Sequence, residues 1–223
     1  DKVMQILADI KKGGIAKATE YAQKFDGLKG KNIRVPVSTI AKSAAKCPKE
    51  LQKALKQAIK NVRDFHKNQM EESWLMQGAD GVVLGQRIRP MKRVGLYVPG
   101  GAGIYPSTVI MNAVPALVAG VEDIVVVTPI KVEINRAVAF VLQELGITEV
   151  YHIGGAQAIG LLAYGAKDAK GKTVVERVDK IVGPGNVFAA IAKKEVFGVV
   201  DIDMVAGPSE VLVMADNTCD PDF

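Results

Sequence analysis

Short apolar runs rich in β-branched residues recur along this chain, and several of them run into loops rich in glycine and other small residues, which restricts the fold more than any other feature of the sequence. The runs lie at residues 93–98, 124–128, 149–153, 180–182 and 211–214. Strands that are apolar at consecutive positions belong to sheets covered on both faces. Between the runs lie helix-length segments with recognisable ends: Pro106-Ser107 opens one that Gly120 closes, Glu133 opens one that Gly146 closes, and two more end at Gly165 and Gly198. This alternation predicts βαβ units with right-handed crossovers, an α/β fold built on a largely parallel sheet.

The part before residue 81 follows a different period. Ile6, Leu7, Ile10, Ile15, Ala18, Tyr21 and Ala22 fall on helical spacing interrupted by Gly13-Gly14, which predicts two helices, and Asp26-Gly27 reads as a turn. Residues 37–74 read as helical too, with Pro48 at a helix start and Ile59, Val62 and Phe65 on one stripe. Short alternating segments at 82–88 read as strands leading into a new domain, with the boundary at residues 78–81. The organisation expected is a helical region over 1–80, a nucleotide-binding α/β domain over 81–210 and the start of a following domain at 211–223. The net charge of +5 is modest. The N-terminal lysines are interleaved with acids, which fits a solvated helix surface rather than a nucleic-acid interface.

The glycine loops carry the functional information. They are Pro99-Gly100-Gly101, Gly154-Gly155-Ala156-Gln157, Gly183-Pro184-Gly185-Asn186 and, after the strand-like residues 199–202, Gly207-Pro208-Ser209. In an open parallel sheet the carboxyl ends of the strands share one rim, and ligands bind in the crevice there. Glycine lets the backbone approach a phosphate or sugar, and the helix that follows offers free N–H groups. The polar residues of these loops, Tyr97, Gln157, Asn186 and Ser209, are therefore candidates for contacts to a nucleotide or substrate. The alternatives are that Gln157 and Asn186 cap helices and that Tyr97 packs with its hydroxyl at the surface.

Several other signatures fail. Residues 101–106, GAGIYP, begin like a dinucleotide fingerprint but place proline where the third glycine belongs, and residues 165–173 resemble a phosphate-binding loop with one residue too many between the glycines. His152 reads as a packed residue rather than a base, and Asp201, Asp203 and Glu210 lack a nearby histidine to complete a metal site. Two distant cysteines, Cys47 and Cys219, suggest neither a disulfide framework nor a thiolate site and fit a cytoplasmic setting. No apolar run approaches the roughly 20 residues of a membrane span.

Four stretches together resemble histidinol dehydrogenase: GLYVPGGAGIYPSTVIMNAVPALVAGV at 95–121, IGGAQAIGLLAYG at 153–165, DKIVGPGN at 179–186 and IDMVAGPSEVLV at 202–213. The leader ILADIKKGGIAKATEYAQKFDG at 6–27 and FHKNQMEESW at 65–74 extend the likeness over nearly the whole chain. The resemblance implies an incomplete Rossmann-like domain in a zinc-dependent homodimer that uses NAD to oxidise L-histidinol through an aldehyde to L-histidine, the last step of histidine biosynthesis. Matched motif to motif, the NAD contacts fall on Tyr97, Gln157 and Asn186, and the substrate-contacting serine on Ser209. The family's zinc ligands and its Glu-His acid-base pair would come after Phe223, so no catalytic or metal-binding residue is assigned here and the chain alone is expected to be inactive. Gly14 stands where aspartate is common, and residues 167–176 read as an insertion-like surface loop. The alternative is a non-catalytic nucleotide-binding module. Neither reading involves nucleic acid or membrane.

Overall fold

The computed structural model describes residues 2–100, 105–205, 207 and 210–220. The order of elements is α1 (Lys2–Phe25), α2 (Val37–Ala44), α3 (Lys49–Lys67), β1 (Trp74–Gln77), β2 (Val83–Gln86), β3 (Arg93–Tyr97), α4 (Pro106–Val118), β4 (Asp123–Val127), α5 (Arg136–Glu144), β5 (Glu149–Tyr151), α6 (Gly155–Tyr164), β6 (Ala166–Lys167), β7 (Thr173–Val175), β8 (Lys180–Val182), α7 (Val187–Val196) and β9 (Asp201–Ile202).

The main sheet has five strands in the order β5-β4-β3-β8-β9, and every pair is parallel. Successive side chains of a strand point to opposite faces, and here both faces are dry. Val94, Leu96 and Val126 join a core with α2 to α5, whereas Tyr97, Val125, Val127 and Ile181 join a second core with α1, α6 and α7. This double covering is why the strands carry apolar residues without alternation. Gly95 in β3 marks the closest approach of helix to sheet, since a Cβ there would sit 2.8 Å from Leu162 Cδ1 of α6.

The N-terminal helices pack on the same sheet from both sides. The apolar stripe of α1, with Ile6, Leu7 and Ile10, lies against α6, and Leu55 and Ile59 of α3 share the core with α4 and α5. The break expected at Gly13-Gly14 is a kink at Gly14, whose φ of 54° and ψ of −137° interrupt the helical path.

Two expectations are corrected. The helical reading of residues 37–74 overruns: α3 stops at Lys67, where Asn68 Nδ2 donates to the carbonyl of Asp64, and Trp74 belongs to β1, paired antiparallel with β2. The turn joining β1 to β2 places Asp80 and Gly81 at positive φ, and Ser73 Oγ accepts from Ile88 N to close the hairpin base. The run at 211–214 is not a strand. No described strand lies beside it to supply a ladder, and its side chains are 80–86% exposed, so β9 forms the sheet edge.

At the amino end of the sheet, Arg93 forms a two-pronged ion pair with Glu149, with N–O distances of 2.7 and 3.0 Å, across the first residues of β3 and β5. Tyr151 Oη donates to the same carboxylate at 2.8 Å. Burial by itself raises the Glu149 carboxyl, but the hydrogen bonds from Arg93 and Tyr151 outweigh it and hold the group below its ordinary value. A carboxylate depressed in the folded state contributes stability that is complete above its unfolded pKa and is lost as pH falls through the folded one. Urea unfolding followed below pH 5 is therefore expected to show a steeper acid loss for the native chain than for Glu149→Gln, which has no carboxylate to take up that proton.

Candidate functional site

The strand order locates the site. From β3 the chain moves outward through β4 to β5, then returns by way of α6 to β8 and continues to β9 on the other side. The connections after β3 and β8 therefore depart in opposite directions, which opens a crevice beyond the carboxyl ends of these two strands. A cavity of about 450 Å³ lies there, lined by Phe25, Asp26, Gly27, Tyr97, Pro99, Gly100, Pro129, Lys131, Gly155 and Asn186. A larger cavity of about 890 Å³ lies at the opposite end of the sheet, around Arg93, Asp179 and the β6–β7 pair, away from every candidate residue.

Tyr97 and Asn186 meet in the first cavity. Tyr97 ends β3 and is 4% exposed, and its hydroxyl accepts from Gly155 N at 3.0 Å. Burial pushes its phenol up, so the ring stays neutral and keeps its proton for a partner. The hydroxyl thus points to the start of α6, not to the molecular surface. Asn186 is the N-cap of α7, its Oδ1 accepting from Ala189 N at 3.0 Å. Its capping role and its place on the cavity wall coexist.

Gln157 is 3% exposed and is not part of the cavity wall. It stands behind Gly155 and donates from Nε2 to Asp26 Oδ2 at 3.0 Å. Ser209, Pro208 and residues 101–104 of the failed fingerprint lie outside the described residues. His152 follows β5 and donates from Nε2 to the carbonyl of Asp26 at 2.9 Å, in keeping with a packed histidine. Asp201 pairs with Lys180 and Asp203 with Lys193, and among the described residues no three His, Cys, Asp or Glu side chains converge on a metal site.

The glycines of these loops are close-contact positions. A Cβ on Gly183, whose φ is 113°, would run into the carbonyl oxygen of Tyr97, and one on Gly100 would strike the carbonyl oxygen of Pro129. A Cβ on Gly154 would lie 2.9 Å from Asp26 Oδ1 and 3.0 Å from Pro129 Cγ. The loops therefore nest against one another at the rim because they lack side chains.

Two groups that sequence reasoning did not assign to the site support it. Asp26 reads locally as a turn residue before Gly27, yet its Oδ2 also accepts from Gly154 N at 3.0 Å, 128 residues away. Burial raises this carboxyl, and the bonds from Gly154 and Gln157 offset only part of the rise. Lys193 of α7 is buried and donates to Asp203 Oδ1 and, at 3.1 Å, to the carbonyl of Gly183, while Asp203 Oδ2 accepts from Gly183 N at 2.8 Å. This pair grips both sides of the Gly183 peptide and sets the loop that carries Asn186. No short-range pattern marks either group, because both act across the fold.

The family model for histidinol dehydrogenase matches residues 1–223. The chain belongs to the histidinol dehydrogenase family. It is 46% identical over 222 residues to histidinol dehydrogenase of Geobacillus kaustophilus and 48% identical over 225 residues to that of Neisseria gonorrhoeae, in each case over 99% of this chain and 51% of the relative. The crystal structure of histidinol dehydrogenase from Elizabethkingia anophelis superposes with a TM-score of 0.88 at 36% identity, covering 99% of this chain and 50% of that one. The chain spans about half the length of the curated histidinol dehydrogenases it matches.

Proposed function

We propose that this chain supplies the nucleotide-binding part of an NAD-dependent histidinol dehydrogenase, which oxidises L-histidinol through L-histidinal to L-histidine. The observation that carries this reading is that Tyr97 and Asn186, from the two loops that diverge at the centre of a parallel sheet, line one cavity together with Gly100 and Gly155. The fit to a nucleotide rests on that geometry: a wall supplied in part by the backbone of Gly27, Gly100 and Gly155, a neutral buried phenol, and the Asn186-capped start of α7.

In this reading Tyr97 and Asn186 contact the nucleotide directly. Gln157 acts on it through Gly155 and Asp26, and Ser209 contacts the substrate. NAD, when bound, supplies the acceptor for the substrate's hydride, and these residues orient it and keep water from its reactive face. The resemblance puts the zinc ligands and the acid-base pair after Phe223, and the described residues offer no donor set for a metal. No step is therefore routed through zinc. We also assign the active protein to the cytoplasm as a homodimer. Exposed apolar side chains on the β1–β2 hairpin, Leu75 at 81% among them, support the assembly part of this assignment. Among the described residues no helix is long and apolar enough to cross a membrane.

Calorimetric titration tests the reading. NAD is expected to bind the chain, and Tyr97→Phe, which removes the acceptor of the Gly155 N–H, is expected to weaken that binding by about 1 kcal/mol, roughly fivefold in Kd. The chain by itself is expected to form no NADH from histidinol. Heat changes from NAD that are indistinguishable from dilution would count against the assignment, as would histidinol-dependent NADH formation against the absence of the catalytic groups.

A further inference from the structure

Among the described residues the cavity wall carries one carboxylate, Asp26, and it sits at the amino end of α6. Asp26 directly follows α1, and Gly27 at φ 73° turns the chain away, which leaves the Asp26 side chain on the carboxyl-end rim beside Gly155. Its Oδ2 accepts from Gly154 N and from Gln157 Nε2, both at 3.0 Å. The next amide, Gly155 N, is taken by the Tyr97 hydroxyl. The amino end of α6 is thus already answered by a negative charge and a phenol of the protein itself, and a charge of that sign is stabilised by the helix dipole. A phosphate cannot use those amides. Asp26 Oδ1 accepts no hydrogen bond among the described residues, although Asp26 lines the cavity.

A half-buried carboxylate with a free oxygen accepts hydrogen bonds from hydroxyl groups and repels phosphomonoesters, more strongly where water is displaced. Acidic residues that meet a ribose in other dinucleotide folds discriminate between NAD and its 2′-phosphorylated form on this ground. We propose that Asp26 is a specificity-determining residue of the cavity, which takes a ribose hydroxyl of the nucleotide through Oδ1 and excludes a phosphate from the same place. The inference rests on the nucleotide reading of the cavity and adds to it the side chain that selects NAD over NADP. Among the described residues Lys131 is the one lysine or arginine on the cavity wall and is exposed, and His152, which donates to the Asp26 carbonyl, is the other positively chargeable group facing Asp26.

The test is the ratio of the Kd values for NAD and NADP, measured by calorimetry on the unsubstituted chain, on Asp26→Asn and on Asp26→Glu. Asparagine retains an acceptor for Gly154 N and removes the charge. The unsubstituted chain is expected to favour NAD by about tenfold or more, Asp26→Asn to bring the two affinities within about threefold, and Asp26→Glu, which keeps the charge should the asparagine variant fail to fold, to preserve the preference. A purely structural Asp26 would weaken both cofactors in parallel and leave the ratio unchanged in Asp26→Asn, and that result overturns the inference. Equal affinities in the unsubstituted chain, or loss of the preference in Asp26→Glu, overturn it as well while leaving the nucleotide site standing. Absence of binding of either cofactor overturns the nucleotide reading together with this inference.

Discussion

Gly183→Ala is expected to destabilise the protein by about 2–6 kcal/mol, with loss of most of the NAD affinity proposed for it. Two costs add. The left-handed backbone at φ 113° is strained for any residue with a Cβ, a penalty of about 1–3 kcal/mol. The new methyl would also collide with the carbonyl oxygen of Tyr97, a backbone atom held by the β3 ladder, and overpacking of this kind adds about 1–3 kcal/mol. Gly171→Ala is the control. Its φ of 78° is similarly left-handed, but nothing lies within 4 Å of the added atom, so only the backbone cost of about 1–3 kcal/mol remains and NAD binding is untouched. Urea midpoints and NAD titrations of the two variants separate the contributions. A Gly183→Ala protein as stable as Gly171→Ala would show that the loop after β8 relaxes away from Tyr97 without cost.

The second large effect concerns Lys193 and Asp203. The Lys193 side chain is 5% exposed, and its ammonium is answered by Asp203 and the carbonyl of Gly183. Asp203→Ala leaves that charge buried with a single carbonyl and deprives the Gly183 and Met204 amides of their acceptor. Removal of one partner of a fully buried pair costs about 3–5 kcal/mol; Asp203 is exposed and lets water reach the ammonium, so a loss of about 1–3 kcal/mol is expected here. Replacement of both partners by uncharged residues of similar size, Lys193→Met with Asp203→Asn, is expected to cost far less, because asparagine still accepts from Gly183 N and no charge is stranded. A double-mutant cycle by chemical denaturation measures the coupling. Additive losses from the two single substitutions would show that the pair does not hold the loop.

Both predictions concern the loop that carries Asn186, and they show how the site is held. Tyr97 and Asn186 occupy their places because glycine-lined backbone from β3 and β8 packs without intervening side chains, and because the ion pair of buried Lys193 with Asp203 closes the second loop from behind. Neither device is visible in the four-residue motif GPGN. The motif marks where the chain turns, and the sheet decides what the turn faces.

The limits of sequence reading follow the range of the interactions involved. The helices from α4 to α7 ended where glycine at positive φ was anticipated, at Gly120, Gly146, Gly165 and Gly198, since a helix end is determined by a few neighbouring residues. The hairpin at residues 74–86 was half missed, because a polar-apolar pattern continues past Lys67 and the local capping by Asn68 that stops α3 carries little periodic signal. The run at 211–214 has strand composition, but a strand needs a neighbour, and none of the described residues provides one. Gln157, read from its loop as a candidate nucleotide contact, places its amide on Asp26, a partner 131 residues away that no local pattern reveals.

What the sequence by itself determined is the class of fold and the rim on which the glycine loops gather, because doubly buried strands and glycine-ended loops are written in residue type and spacing. What only the tertiary structure decided is the strand order β5-β4-β3-β8-β9, and with it the point where the loops diverge and the meeting of Asp26 with Gly154 and Gln157. The physical reason is distance along the chain. Local backbone preference and burial period act over a few residues, whereas the crevice is assembled from groups as distant in sequence as Phe25 and Asn186, which only packing on a shared sheet brings together.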